Sequence, residues 1–546
     1  MKSHKYCCIA CVVVSMLLVD AAVSQQSGRE IAAELGQALQ KPSTGPSGFP
    51  LPFLSHWTTG KHDLSEGWAP ERQLELLDAG LYILPWFEFP DGSSDEPIFS
   101  MSFSDYYEAP LLRAKELHIP ISLVGSQWER FLSEDPYLDL DRDANPNVVT
   151  PNGLVLPKLS PFGGIQSWRE LGFKLTSHEQ FSRLQEFYPE PPRVVFVSNN
   201  EHSKLVWEDA EDDIRYLEQY GLHQPAEFKR QVFASGWTER YRALFEGMRA
   251  GMSASSWRQN SIFVGYDAFG PPHFGRWNDW ADYSLYTSGN IDPSVFMWDG
   301  ATVSYYVHNW SEVTDFTIWS PQVESMNWVF QLAEAYERNP NFWFELSIWD
   351  GYVPSDPAVD KRTYYASIGQ TYSPERYVGL VQFGMWLLRP RVVREFRDWI
   401  QGWNENSPYF LALAEAVGRV HRNAVLRDWW INGATVANDS RLHPYQSSIP
   451  REYSNANRWF LLESNVNDLG VDDRIDVEVA VYALALVQGD EPDREWLVYA
   501  HSPLGDRENV QLNIPGFGEI VVDVEVGGSF ILVSEKASET MQVSAL

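Results

Sequence analysis

Eight short, almost continuously apolar runs separated by helical patterns, followed by six runs with period-two alternation and no intervening helix, predict an α/β chain. The predicted architecture is a (β/α)8 TIM barrel followed by a small C-terminal antiparallel β-sandwich. A strand buried on both faces reads as unbroken apolar sequence, whereas a strand with one wet face alternates. A chain of 546 residues exceeds one core of average size. One large and one small domain is the natural division.

The first segment, 1–24, reads as a secretory signal: Lys2 and Lys5, an apolar run Cys7–Val19, then the small residues Ala22-Val23-Ser24. All three cysteines, Cys7, Cys8 and Cys11, lie inside it. The exported chain then has no disulfide, thiolate metal site or cysteine nucleophile. The expectation is a secreted or periplasmic protein with no membrane association after cleavage. The barrel is expected over 25–428 and the sandwich over 429–546.

The eight barrel strands are expected at Leu51–His56, Leu81–Phe87, Ile119–Gly125, Arg193–Asn199, Ser261–Asp267, Thr302–His308, Phe342–Ile348 and Tyr377–Trp386. Helices are expected at Pro70–Leu77, with proline in the first turn, and at Tyr106–Leu117, Ala226–Met252, Pro321–Arg338, Pro390–Trp403 and Pro408–Val420. Gln127 to Pro192, rich in proline and glycine, reads as a long loop. The sandwich strands are Arg458–Glu463, Asp476–Val487, Glu495–Ala500, Asn509–Ile514, Glu519–Val526 and Ser529–Val533.

Composition narrows the function. Lys+Arg is 42 against Asp+Glu 74, a net charge of -32. Such a chain repels phosphate backbones, so nucleic acid is excluded as a first partner. Aromatic residues make up 14 % of the chain, with 23 tryptophans. Trp presents a flat apolar face and one donor, which suits the C–H faces and hydroxyl edges of sugar rings; the other reading is a large Trp-rich core. No cofactor motif occurs. Asp139, Asp141, Asp143 and Asn145 alternate as in a calcium loop, but Ala144 and Thr150 stand where glycine and glutamate belong. The string reads as an exposed acidic loop, and no metal is predicted.

Catalytic residues of such barrels sit at the C-terminal ends of strands. The fourth run ends Ser198-Asn199-Asn200-Glu201, and the seventh carries Glu345. Strands four and seven face each other across an eight-stranded ring. Two carboxyls there can act on one glycosidic bond, one protonating the leaving oxygen and one attacking the anomeric carbon. On these residues the sequence resembles the clan A retaining glycoside hydrolases built on the (β/α)8 barrel. The resemblance implies Glu201 as acid/base, Glu345 as nucleophile and Asn200 as a ligand of the neighbouring hydroxyl. It also implies His308 and Trp310 after strand six and a Trp platform, Trp386, after strand eight. Two departures are visible. Glu345 lies inside its run, which leaves Asp350 as the alternative strand-end carboxylate, and Asn199 rivals Asn200.

Trp86, Glu88, Trp128 and Asp267 end other runs and are further candidates for the cleft, as are His56 and Trp57. Each assignment has a structural rival. Glu201 can stabilise the N-terminus of the next helix, and Glu345 can be a buried carboxylate paired with an arginine. Lys61, His62, His273, Arg276 and Arg389 are basic residues placed near the rim, where sulfate or carboxylate groups of a substrate would meet them.

The function expected is a secreted retaining glycoside hydrolase acting by a two-glutamate double displacement. Marine algal galactan of the agar or carrageenan type is the first substrate to test. The bulky Pro271–Trp277 segment favours exo action. The alternatives are a non-catalytic carbohydrate-binding barrel and a polysaccharide lyase.

Overall fold

The structure is a computed structural model that describes residues 50–57, 70–92, 102–199, 210–266, 297–306, 339–349, 373–396, 403–436, 461–462, 481–490, 493–502, 505–514, 517–534 and 540–543, with single positions between 325 and 336 and at 366.

Eight parallel strands form one sheet: β1 (Phe53–His56), β2 (Trp86–Glu88), β3 (Ile121–Ser126), β6 (Val194–Asn199), β7 (Ser261–Gly265), β8 (Gly300–Tyr306), β9 (Trp343–Trp349) and β10 (Val392–Glu395). Their order is β1-β10-β9-β8-β7-β6-β3-β2. The two ends meet through a parallel bridge between Leu54 and Ile83, with Leu54 N–H donating to Tyr82 O and Leu84 N–H donating to Leu54 O, both at 2.8 Å. The sheet therefore closes into the predicted barrel. Alternation along each strand sends one set of side chains inward and the other toward the helices. Val124, Val195, Val197, Val264, Trp343 and Val392 share the inner cluster. Phe196, Phe263, Phe344, Leu346 and Ile348 join the larger outer one.

Seven of the expected strands fall where the sequence put them. The eighth does not. Tyr377–Trp386 lies inside a helix, Pro374–Leu388, and the last barrel strand is the short Val392–Glu395. The cause is burial from both sides. Twelve of the fifteen helix residues are buried, because the helix is wedged between the barrel and the C-terminal sheet. A helix apolar all round gives the same unbroken run as a doubly buried strand. Ser373 caps it by accepting from Arg376 N–H at 3.3 Å, and Pro374 occupies the first turn. Tyr305 OH donates to Leu380 O from the barrel side, and Tyr499 OH donates to Gly379 O from the sheet side. Gly379 has no room for a side chain, since a Cβ would lie 2.1 Å from Val526 O.

The 127–192 connection is also more ordered than a loop. It contains a hairpin, β4 (Asn147–Val149) with β5 (Val155–Leu159), and two helices, Ile165–Ser177 and Glu179–Phe187. Ile165–Ser177 packs on the long helix Ala226–Gly251 at very close range. A Cβ on Gly172 would sit 2.0 Å from Leu244 O. In the acidic string, Asn145 donates to the carbonyls of Leu138 and Leu140, and Arg142 pairs with Asp143 and Glu218.

At the C-terminus six antiparallel strands form one sheet, β11 (Ala434–Val436), β12 (Leu461–Leu462), β13 (Tyr482–Gln488), β14 (Glu495–His501), β17 (Ser529–Ser534) and β18 (Thr540–Val543). A hairpin, β15 (Arg507–Ile514) and β16 (Gly518–Val524), covers one face of it, with Val510, Leu512, Ile520 and Val522 packed on Ala483, Ala485, Val498 and Ile531. The alternate residues Leu484, Tyr499 and Phe530 belong to the core shared with the barrel helices. The expected boundary between 428 and 429 falls inside a helix, Ala424–Asn432, that leads directly to β11. Among the described residues no helix is long and apolar enough to cross a membrane.

Candidate active site

The barrel's inward residues form stacked polar layers. Glu345 is the third residue of β9, four short of its C-terminal end at Trp349. It is wholly buried, and so is Arg394 of β10. Arg394 Nε donates to Glu345 Oε2 at 2.8 Å and NH2 donates to Oε1 at 3.2 Å. Trp343 Nε1 donates to the same Oε1 at 2.9 Å. The remaining reach of the guanidinium goes to Ser55 Oγ and His56 O, both at 3.0 Å. A two-pronged charge-assisted pair of this kind locks both side chains. It ties β9, β10 and β1 together inside the barrel.

Glu345 thus stands inside its strand and not at the strand end, and it has the arginine partner named as its structural alternative. On its face of the strand, Ser347 stands between it and Trp349 at the strand's end.

Above that pair runs a chain of hydroxyls. Trp57 Nε1 donates to Ser347 Oγ at 2.6 Å, and Ser347 Oγ shares a 2.9 Å bond with Tyr306 OH. Tyr266 OH donates to Tyr306 OH at 2.9 Å, and Ser304 Oγ donates to Tyr266 OH at 2.7 Å. The rings of these residues meet Trp349 and Phe396 in one cluster. Tyr306 stacks on Phe396 at 5.3 Å and meets the edge of Trp349 at 5.7 Å. Trp57 meets Tyr266 edge-on at 5.2 Å. Five strands, β1, β7, β8, β9 and β10, thus end on an aromatic floor (Trp57, Tyr266, Tyr306, Trp349 and Phe396) with a hydroxyl network beneath it.

Glu88 closes β2 at the same end of the barrel. Two tyrosines of the helix Phe103–Leu117 fix its backbone: Glu88 N–H donates to Tyr106 OH at 3.2 Å, and Tyr107 OH donates to Glu88 O at 2.7 Å. Burial, and then the charge of Asp91, push its carboxyl up to about 7. Its Oε2 is buried and meets no hydrogen-bond donor among the described residues. A carboxyl that keeps its proton near neutrality is the form a general acid requires.

Four other candidates are core residues, not cleft residues. Trp86 is buried at the seam of β1 and β2, with His56 at 5.8 Å and Phe410 at 6.0 Å. His56 is buried as well, and its Nε2 lies 4.0 Å from Glu395 Oε2 on the helix side of the sheet. Trp128 packs against Phe89, Phe196 and Phe263 in the outer layer. Trp386 is sandwiched between Trp430 at 5.2 Å and Phe530 at 5.3 Å. The apolar face of Trp serves a core as well as it serves a sugar, and sequence alone does not tell the two apart. Arg389 likewise lies buried at the C-cap of Pro374–Leu388, where it donates to Trp430 O, and not on the rim. Asn200, Glu201, Asp267, His308, Trp310 and Asp350 lie outside the described residues, as do Lys61, His62, His273 and Arg276.

Sequence reasoning missed Arg394, Tyr306 and Ser347. The signal for Arg394 was available in Val392-Val393-Arg394-Glu395, a β-branched pair followed by charge, just past Pro390-Arg391.

No protein-family model matches this chain, and no curated protein sequence matches it. Among solved structures it is similar to an α-galactosidase from Lactobacillus brevis, at 12% identity, covering 83% of this chain and 46% of that one, with a TM-score of 0.36. It is similar to an agarase at 11% identity, covering 73% of this chain and 70% of that one, TM-score 0.30. It is also similar to a GH5-4 broad specificity endoglucanase from an uncultured bacterium at 11% identity, covering 72% of this chain and 96% of that one, TM-score 0.32. The chain spans under half the length of the α-galactosidase. These neighbours are glycoside hydrolases by name. Likenesses this loose leave the barrel to stand on its own strand order.

Proposed function

We propose that this protein is a retaining glycoside hydrolase whose cleft lies above the aromatic floor at the C-terminal end of the barrel. The observation that carries the reading is that floor. Five strands deliver aromatic rings and hydroxyls to the one end of a parallel barrel where catalytic groups collect, and the chemistry suits sugar rings. Glu88, with its proton held at that same end, supports it.

Glu201 follows β6 by two residues and donates the proton to the leaving oxygen. Asp350, the next residue after Trp349, takes the nucleophile's role in place of Glu345 and forms the glycosyl ester. Glu201 then draws a proton from water, and the water opens the ester with net retention. Glu88 keeps a donor on the β2 side of the cleft. Residues 1–24 direct export, and algal galactan remains the first polysaccharide to test.

The experiment is a panel of plant and algal glycans scored for released reducing ends and for ultraviolet absorbance. Wild type should release sugar without forming an unsaturated product, and Glu201→Gln and Asp350→Asn should each lower kcat by a factor on the order of 10²–10⁴. Binding without release, an unsaturated product, or full activity in both variants would each overturn the reading.

A further inference from the structure

A cavity of about 440 Å³ opens in the helical layer between the loop at Pro161-Phe162, the helix Ile214–Tyr220 and residues Gln231 to Arg240 of Ala226–Gly251. None of its lining residues belongs to a barrel strand. Its volume is in the range of small-molecule sites.

Two guanidiniums line it, and they differ. Arg215 is spent. Its Nε and NH2 hold both oxygens of Asp213 at 2.8 and 2.6 Å, and its other N–H groups reach the carbonyls of Arg142, Asn145 and Asn147. Arg240 is not. Its side chain is 7% exposed, and its bonds run to two neutral carbonyls, Gly236 O and Gly163 O. Its Nε is buried with no hydrogen-bond partner among the described residues. The nearest acid, Glu239, stays 63% exposed and comes only to 3.7 Å. Water screens such a contact, while the buried cation still carries its desolvation cost. Burial accordingly lowers the Arg240 pKa to about 10. Beside it, Phe162 and Tyr220 supply apolar ring faces, 6.4 Å apart edge to face. Gln231 and Ser235 stand exposed on the wall. The buried Asp213 favours the Arg240 charge from nearby, but Arg215 holds both of its oxygens.

We propose that the cavity is a second carbohydrate site that holds one acidic sugar unit, a uronate or a sulfated pyranose, with its charge on Arg240 and its ring against Phe162 and Tyr220. That the ligand is a sugar rests on the glycoside hydrolase reading; that it is an anion rests on Arg240.

Isothermal titration of the intact protein with glucuronate, galactose 6-sulfate, glucose and inorganic sulfate tests it. Either acidic sugar should bind at least tenfold more tightly than both glucose and inorganic sulfate, and Arg240→Gln should weaken that binding at least tenfold. Arg240 also holds two backbone carbonyls, so Ser235→Trp provides the second test, filling the cavity from an exposed position. It should abolish binding with the unfolding midpoint preserved. Equal affinity for glucose, equal affinity for inorganic sulfate, no acidic-sugar binding, or undiminished binding to Ser235→Trp overturns the proposal. Sugar release is scored on the same samples. Release without acidic-sugar binding refutes the cavity proposal alone. Acidic-sugar binding lost in Ser235→Trp, with no release from any glycan, upholds the cavity and refutes the hydrolase reading.

Discussion

The Glu88 carboxyl gives the most quantitative prediction. Its pKa stands at about 7 in the folded protein against an ordinary 4.5. The unfolded chain therefore gives up this proton first. Below about pH 4.5 the residue is neutral in both states and burial costs nothing extra. Between 4.5 and 7 the unfolded chain is ionised and the folded one is not, so stability falls with rising pH. Above 7 the folded protein carries the full penalty of a charge desolvated beside Asp91. A shift of roughly 2.5 units at 1.36 kcal/mol each is about 3 kcal/mol. Glu88→Gln keeps the shape and removes the titration. Urea unfolding followed by tryptophan fluorescence, at pH 4.5 and pH 8, compares the two proteins. The stability difference should move in favour of Gln by about 3 kcal/mol between those pH values. A difference constant across that range would show that Glu88 ionises freely and would remove it from the proton-holding role.

Three further outcomes are expected. Glu345→Gln should cost about 3–5 kcal/mol by stranding the buried Arg394 charge, whereas Glu345→Met with Arg394→Leu should be far milder, a contrast read by chemical denaturation; equal losses would show that the pair is not the source of the cost. Gly172→Ala drives a methyl into Leu244 O and should cost about 1–3 kcal/mol in the same assay. His501 is buried, and its pKa is lowered to about 3 by burial and then by Arg376. The unfolded chain binds that proton below about 6.5, so stability should drop by about 2 kcal/mol between pH 7 and pH 5. His501→Gln should flatten that limb of the pH–stability curve.

Much of the barrel was legible because doubly buried strands leave unbroken apolar runs with helical periods between them. The same rule produced the main error. Helix Pro374–Leu388 is covered by the barrel on one side and by β13 and β14 on the other, so it too lost its polar face. The cap Ser373-Pro374-Glu375 was its distinguishing mark. The true eighth strand hid because it is short and one of its two inward residues is Arg394, which looks like a surface group until its partner is known. That partner, Glu345, was visible as a costly buried carboxylate, but the two stand 49 positions apart. No local spacing joins them; only the β9–β10 register does. The Trp residues show the opposite limit. Trp86, Trp128 and Trp386 announced bulk and apolarity, and nothing in the sequence said which side of the sheet they would fill.

The proposed nucleophile is Asp350, the residue that follows Trp349 in sequence, in place of the buried Glu345. Incubation of active protein with 2-deoxy-2-fluoro glycosides, followed by digestion and mass spectrometry, tests it most directly, because the fluorine slows breakdown of the ester and leaves the sugar on its nucleophile. The expected result is a label on Asp350. A label on Glu345, or an active enzyme that inverts the anomeric centre and takes no label, would contradict it.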